Sequence, residues 1–297
     1  MNYPKVSIII LNWNGLENTI ECLESLQKIT YSNHEVIIVD NGSKGNDVKI
    51  LKQKFGEYVH VIKNKRNLGF AEGNNVGIRY AMRKDSGYIL LLNNDTIVDA
   101  DFLTELIKVA ESDPKIGIVG PKIYYYYEPD KIWFAGGEIH WWKGKTKHLH
   151  TREIDKGQAN KIREVDYITG CTLLVKGSVL KKIGLLDASY FSYFEETDFC
   201  VRAKQKNYTI LYVPTAKVWH KISATSHYQD AFYNYYFARN RIIFMKKHGR
   251  LLYRLTFYPY QVFVKSLGAL LIFGLKRKNP RSAFAYIKGI VDGLRCN

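Results

Sequence analysis

Short, mostly apolar runs recur between amphipathic segments through the first 120 residues. The runs at 6–11, 35–40, 58–63, 88–93 and 116–120 are of strand length and rich in Val, Ile and Leu. The segments between them, 16–28, 48–55, 71–84 and 102–112, read as helices. A strand covered on both faces needs no polar alternation. The pattern therefore predicts an α/β chain with a mainly parallel central sheet flanked by helices. Ligands of such sheets sit beyond the carboxyl ends of the strands, where the strand order reverses. Three polar clusters stand at those ends: Asn12-Trp13-Asn14-Gly15, Asp40-Asn41-Gly42-Ser43 and Asn93-Asn94-Asp95.

The middle third differs. Runs at 124–128, 132–142 and 165–175 are rich in Tyr, Trp, Gly and Thr and predict antiparallel strands and aromatic loops. A helix opening with acids is expected at 194–205, and short strands at 210–213 and 217–219. From about residue 226 the chain becomes helical and basic. A helix over 228–247 ends on Lys246-Lys247-His248-Gly249, a plausible stop. The next stretch, 255–275, is long enough to span a bilayer, which takes about 20 apolar residues. Gln261, Lys265 and Ser266 interrupt it, and Pro259 stands near its start. The composition favours a helix lying in a membrane interface, with Lys276, Arg277, Lys278 and Arg281 on anionic headgroups. The alternative is a core-packed helix with a solvated basic face.

The net charge of +16 points to an anionic partner: nucleic acid, anionic lipid or a phosphorylated substrate. Residues 241–297 hold twelve Lys and Arg against one acid, Asp292. Those charges are mixed with long apolar runs rather than set on a base-reading surface, so no nucleic-acid partner is expected. Cys22, Cys171, Cys200 and Cys296 show no zinc spacing, and a reduced, cytosolic setting is the simple reading. The chain enters its first strand directly after Pro4-Lys5, and no secretion signal is expected.

Several residues could carry chemistry. Asp95, behind two amides at a strand end, suits a hard cation that shares phosphate oxygens, or else a plain turn. Asp40 could accept from a base or ribose, or cap a turn. The segment 67–77 mixes glycines and amides at a helix start, where backbone can approach a phosphate. It is neither G-x-G-x-x-G nor a P-loop, which disfavours a Rossmann dehydrogenase or a P-loop NTPase. Glu195, Glu196 and Asp198 stand beside Tyr190, Phe191 and Tyr193; an acid among aromatics and other acids has a raised pKa and suits a general base. The helix dipole alone could explain such acids, most readily Asp198. His220 ends a strand and could join Asp95 on a metal. Arg239 and Arg241 offer guanidiniums to phosphate, or a solvated face.

Taken in order, eight pieces resemble the family 2 glycosyltransferases of GT-A fold. They are VSIIILNWNG (6–15), VIIVDNGS (36–43), NLGFAEGNN (67–75), LLLNNDT (90–96), ITGCTLLVKG (168–177), YFEETDFCVRA (193–203), the His220 segment and YYFARNR (235–241). Within that family the chain looks like rhamnosyltransferase-type members that build surface polysaccharides. The resemblance implies a catalytic domain over 1–226 and a basic, membrane-associating helical region over 227–297. It implies that Asp40 contacts the base and that Leu11, Asn12 and Asn14 line the nucleotide pocket. Asn67, Gly69, Asn74 and Asn94 would lie along the nucleoside diphosphate. Asp95 and His220 would bind Mg²⁺ or Mn²⁺. Arg239 and Arg241 would meet the diphosphate or a lipid-linked acceptor. Glu196 takes the place of the family's catalytic base. Two departures stand out: the metal motif holds one acid, and the acid pair is Glu-Glu rather than Glu-Asp, which leaves Glu195 and Asp198 as further candidates for the base. The implied activity is inverting sugar transfer from a nucleoside-diphosphate sugar, dTDP-rhamnose favoured. The acceptor would be a polyprenyl-diphosphate-linked saccharide at the cytoplasmic face of the cell membrane. A UDP-sugar donor, or a non-catalytic membrane scaffold on the same fold, are the alternatives.

Overall fold

The computed structural model describes residues 4–222 and 231–296. The strands β1 (Val6–Asn12), β2 (His34–Asp40), β3 (Val59–Lys63) and β4 (Tyr88–Asn93) are parallel, in the order β3-β2-β1-β4. The helices α1 (Leu16–Leu26), α2 (Asp47–Phe55) and α3 (Gly69–Arg83) connect them. After β3 the chain crosses to the far side of β1, so the strand order reverses between β1 and β4. A crevice opens beyond the strand ends at such a reversal, and the ends of β1 and β4 carry Asn12 and Asn93. α3 packs closely over β1 because it is small there. A Cβ at Gly77 would meet Ile9 Cγ2 at 2.6 Å, and one at Gly73 would meet Leu11 Cδ1 at 2.7 Å.

Beyond β4 the sheet becomes mixed. β5 (Thr96–Val98) and α4 (Phe102–Glu111) lead to β6 (Ile116–Tyr125), which is buried along its whole length. β7 (Glu128–Phe134) folds back on β6, and β8 (Gly137–His140) with β9 (Lys145–His148) forms a separate hairpin. β10 (Arg163–Glu164) lies on the sheet edge. β11 (Thr172–Lys176) inserts antiparallel between β4 and β6, and α5 (Gly177–Ile183) and α6 (Glu195–Gln205) follow it. β12 (Thr209–His220) runs parallel to β6, and its end pairs with β5.

Two gaps between expected strands are bridged. The run at 116–120 continues through Tyr124 and Tyr125 as β6, while Glu128 opens β7, and the runs at 210–213 and 217–219 merge as β12. Pro121 and Pro214 lie in the gaps between those runs. The two strands change register against each other between Val213 and Lys217, beside both prolines. A bulge tolerates a residue without an N–H.

α7 (Ala231–His248) is embedded in the body through Ala238, Asn240, Ile242, Phe244 and Met245. Its expected start at 228 and the expected domain junction at 226 lie outside the described residues. The helix Leu251–Lys276 follows and is the one helix among the described residues long and apolar enough to cross a membrane. Pro280–Arg295 then folds back along α7. Near the middle of the long helix, Gln261 is fully buried. It donates to Tyr286 Oη at 2.8 Å and accepts from Arg241 at 3.3 Å. The opposite face, with Leu252, Leu255, Phe263, Leu267 and Leu275, is exposed.

A buried lysine locks the segment after β9. Lys122 of β6 donates to Asp155 at 2.7 Å and to Asn160 at 2.5 Å, and Tyr124 donates to Asp155 at 2.6 Å. Burial raises the Asp155 pKa, but these donors outweigh it and hold the carboxyl down to about 2. Removing one partner of a buried pair typically costs about 3–5 kcal/mol. Lys122→Ala is expected to lose stability on that scale in urea unfolding; a loss under about 1 kcal/mol would show that the pair does not anchor this segment.

Candidate active site

A cavity of about 920 Å³ opens beside the carboxyl ends of the strands, a size usual for ligand sites of roughly 300–1,000 Å³. Asn93 and Asp95 reach it from the end of β4, and His220 from the end of β12. Pairing of β5 with β12 brings these positions together across 125 residues of chain. The main chain is fixed as well, since Lys221 N donates to Asp95 O at 2.9 Å. His220 Nε2 donates to Asp95 Oδ1 at 2.9 Å, and the Trp133 ring stands edge-on to the imidazole at 4.7 Å. Burial disfavours charge on His220. Cys171 and Asp95 outweigh it and push the pKa up to about 10.

At 2.9 Å Asp95 and His220 are hydrogen-bonded to each other through the His220 Nε2 proton, so a divalent cation would bind in exchange for that proton and would then have one carboxylate and one neutral imidazole as donors. No cluster of three or more His, Cys, Asp or Glu ligands occurs among the described residues. The donor set therefore suits an ion that draws its other ligands from phosphate oxygens and water, as Mg²⁺ and Mn²⁺ do.

Glu195 and Glu196 line the same cavity from the first turn of α6. Each has a buried carboxyl oxygen, Oε2, that no hydrogen-bond donor reaches. Burial raises both pKa values. Glu195 rises well above the usual carboxylate range, helped by the charge of Glu196 beside it. Glu196 rises to about 7, its rise moderated by backbone N–H groups of the helix start. The loop before α6 is strained: Phe191, Tyr193 and Phe194 have φ of 63°, 72° and 76°. Left-handed non-glycine residues cost about 1–3 kcal/mol each and persist where the surroundings hold them. Asn240 of α7 supplies that hold. Its Nδ2 lies 2.7–2.8 Å from the carbonyls of Tyr190, Ser192 and Tyr193 and shares its two protons among them.

Other expected site residues lie elsewhere. Asp198 does not line the cavity. It accepts from Arg202 at 2.7 Å, His248 at 2.8 Å and Tyr190 at 3.2 Å; burial raises its pKa, but His248 and Arg202 outweigh burial and lower it. Its carboxylate oxygens are engaged by these three donors, and it ties α6 to its neighbours outside the cavity lining. Asp40 and Asn12 are fully buried: Asn12 Nδ2 donates to Asp40 at 3.1 Å and Asp47 at 3.0 Å, and Asp40 also accepts from Ser43 N. Asn14 N donates to Ser43 Oγ, and Leu11 packs over Gly73. These residues form a braced floor at the ends of β1 and β2. Asn94 ties the β4 turn to α1 through Thr19 Oγ1 at 2.9 Å.

The start of α3, expected to offer amides to phosphate, spends them internally. Phe70 N and Ala71 N donate to Phe191 O at 2.6 and 3.2 Å. Asn67 accepts from Gly69 N and Asn41, and Asn74 donates to Phe70 O. Arg239 donates to Ser189 O and Asn240. Arg241 is buried against Phe237 and Gln261. Neither arginine lines the cavity. Sequence reasoning missed Lys145, Lys147, Arg152 and Trp133, which do, and Arg277, expected on anionic headgroups, lines it as well. Composition gave them no signal, because the hairpin that presents the first two reads as an ordinary aromatic, basic loop.

This parallel half-sheet, mixed extension and acid-lined cavity are those of a GT-A transferase. The sequence profile of Glycosyl transferase family 2 matches residues 7–184, and the chain belongs to that family. It is similar to the low-salt glycan biosynthesis hexosyltransferase Agl10 of Haloferax volcanii, 27% identical over 69% of this chain and 63% of that protein. The chain thus spans less than two thirds of that relative's length. It is also similar to the dTDP-rhamnosyl transferase RfbF of Shigella flexneri, 23% identical over 99% of this chain and 97% of that protein. Among solved structures, GalNAc-T7 with UDP, GalNAc and Mn²⁺ superposes with a TM-score of 0.69 at 16% identity, over 99% of this chain and 56% of that one. The mannosyltransferase PcManGT of Pyrobaculum calidifontis, with GDP-Man and Mn²⁺, gives 0.61 at 12% identity, over 99% of this chain and 87% of that one. At these identities the two structures establish the fold alone.

The raised carboxyls also set a stability prediction. A group whose folded pKa is raised contributes stability below its ordinary range, lost as pH rises through the raised value. Glu195→Gln is therefore expected to gain on the wild type as pH rises above the ordinary carboxylate range, by up to about 1.4 kcal/mol per pH unit. Thermal unfolding checks it; a difference that stays constant with pH would be inconsistent with a buried, raised Glu195.

Proposed function

We propose that this protein is an inverting, metal-assisted glycosyltransferase. It moves a sugar from a nucleoside-diphosphate sugar, dTDP-rhamnose favoured, to a hydroxyl of a polyprenyl-diphosphate-linked saccharide in cell-surface polysaccharide synthesis. The observation that carries the reading is that Glu196, with a raised pKa and an unpartnered oxygen, faces the same cavity as Asp95 and His220. The near full-length likeness to a dTDP-rhamnosyl transferase supports the donor.

In this mechanism Glu196 accepts the proton of the acceptor hydroxyl. The hydroxyl oxygen attacks the anomeric carbon from the face opposite the leaving diphosphate. The new C–O bond forms as the sugar–phosphate bond breaks, so one displacement inverts the configuration. A raised pKa keeps Glu196 basic enough to hold that proton near neutrality. Glu195, raised further, stays neutral and adds no charge beside it. A Mg²⁺ or Mn²⁺ ion on Asp95 and His220 would offset the negative charge of the departing diphosphate. The strained 191–194 loop, pinned by Asn240, holds the acids at the cavity wall.

The chain divides, in this proposal, into a catalytic unit over 1–226 and a basic helical unit over 227–297. Burial of Gln261 against Arg241 and Tyr286 keeps the middle of the long apolar helix on the protein body. This supports a helix lying in the interface of the cytoplasmic leaflet, with its exposed leucines in lipid.

Release of nucleoside diphosphate from a panel of nucleotide sugars tests the reaction; no release from any of them would refute it. General-base help is worth about 10²–10⁴-fold. Glu196→Gln is expected to lose turnover on that scale while keeping nucleotide affinity, and wild-type kcat/KM should fall as pH drops through about 7. Asp95→Ala should lose the metal-dependent part of nucleotide binding. The full chain is also expected to float with anionic vesicles at low salt and to be released as salt rises. Failure to float would remove the membrane assignment.

A further inference from the structure

The β8–β9 hairpin turns through Trp141-Trp142-Lys143-Gly144, and this turn is pressed against the C-terminal helices. Gly144 has φ of 54° and lies so close to them that a Cβ there would meet Phe257 Cε2 at 2.7 Å and Met245 Cγ at 2.8 Å. The Trp141 ring stacks on Phe244 of α7 at 5.5 Å and on Tyr253 of the long apolar helix at 6.3 Å. The Trp142 ring meets Tyr253 edge-on at 4.8 Å. Arg254, beside Tyr253, donates from Nε to Met245 O at 3.1 Å and from its guanidinium to Lys246 O. The corner where α7 passes into the long helix is thus tied, and the hairpin turn is fixed to it.

The two tryptophans differ in surroundings. Trp141 packs against the core, whereas Trp142 is 51% exposed. Around Tyr253 in the helix, Leu251, Leu252 and Leu255 are 74%, 60% and 64% exposed. One exposed ring is ordinary on a protein surface. This one touches the first turns of a 26-residue helix long and apolar enough to cross a membrane.

Charge says what covers this surface. Residues 139–152 and 231–291 contain no Asp or Glu, while Lys143 at the turn and Arg250 at the helix start are exposed. Exposed leucines, a ring with one apolar and one polar edge, and cations without acids suit an anionic bilayer. The leucines enter the acyl boundary, the indole sits at headgroup level and the cations meet lipid phosphates.

We propose that the tip of the β8–β9 hairpin, through Trp142 and Lys143, is a second contact with an anionic lipid surface, beside the long helix. This deepens the membrane part of the proposed function and rests on it for the helix contact. It also places the lipid relative to the cavity. β9 begins at Lys145, next to Gly144, and Lys145, Thr146, Lys147 and His148 line the cavity. The lipid surface therefore meets the rim of the cavity, and a saccharide carried on a lipid would reach it without leaving the interface.

Tryptophan fluorescence of the full chain on vesicles of phosphatidylglycerol and brominated phosphatidylcholine is the test, since bromine quenches only indoles that lie in the bilayer. Of the five tryptophans, Trp13 and Trp142 are the large exposed ones. Wild type is expected to be quenched relative to unbrominated vesicles, Trp142→Phe to lose most of that quenching, and Trp13→Phe to keep it. Trp142→Ala is expected to bind the anionic vesicles about tenfold more weakly, from the apolar area it withholds. Vesicles of phosphatidylcholine alone should bind wild type at least about tenfold more weakly. Both replaced side chains are exposed, and circular dichroism verifies that the variants fold. Equal quenching in wild type and Trp142→Phe, with wild type afloat on the vesicles, overturns the hairpin contact and leaves the helix contact standing. A wild type that does not float overturns both. Equal binding to neutral vesicles overturns the anionic requirement.

Discussion

Carboxyl groups resist leaving water, and at the first turn of α6 two of them are held out of it with one oxygen each beyond the reach of any donor. Much else follows from keeping them there. Three left-handed residues turn the chain into α6, and a conformation of that kind relaxes unless it is held. The hold is Asn240, on a helix some 45 residues further on, whose amide meets three carbonyls of the turn. Thus α7 belongs to the working site as much as to the C-terminal region. Asp198, three residues from Glu195, is treated in the opposite way. It is surrounded by donors and kept ionised, and it ties α6 to α7 through His248. Neighbouring acids on one helix turn are separated into a buried pair with raised pKa values and a bonded anchor by their surroundings.

The reversal of strand order between β1 and β4 performs a second division. Polar residues at the ends of β1 and β2 bond mainly to one another and form a rigid floor. The end of β4 instead meets the end of β12, and the Asp95–His220 pair faces the cavity. Floor and pair stand at the same strand ends and differ in their surroundings: the first is bonded within itself, and the second faces the cavity.

The parallel half was legible because each of its strands is buried on both faces and announces itself by composition. The gaps expected after 120 and after 213 are bridged because a shared register shift absorbs the residues there, and a single segment does not reveal its partner's register. Asp95, His220 and the acids at 195–196 were legible as polar residues at strand or helix ends. The amides of 67–74 and the two arginines of α7 looked equally promising, yet the structure uses them internally. A residue's type says what it can bond to, and packing says what it has already bonded to. Lys145, Lys147 and Arg152 show the converse, since ordinary surface cations in a basic chain become part of a cavity wall only when the β8–β9 hairpin folds over it.

By itself, then, the order of apolar runs and polar strand ends determined the α/β class, the edge at which ligands enter and the acids able to act there. Those properties are local, set by burial pattern and side-chain chemistry within a few residues. Only the tertiary structure decided which acid is free to take a proton, which amides remain for a ligand and which cations face the cavity. Each of those outcomes depends on partners 45 to more than 100 residues away, and on how much water the packing leaves around a charge.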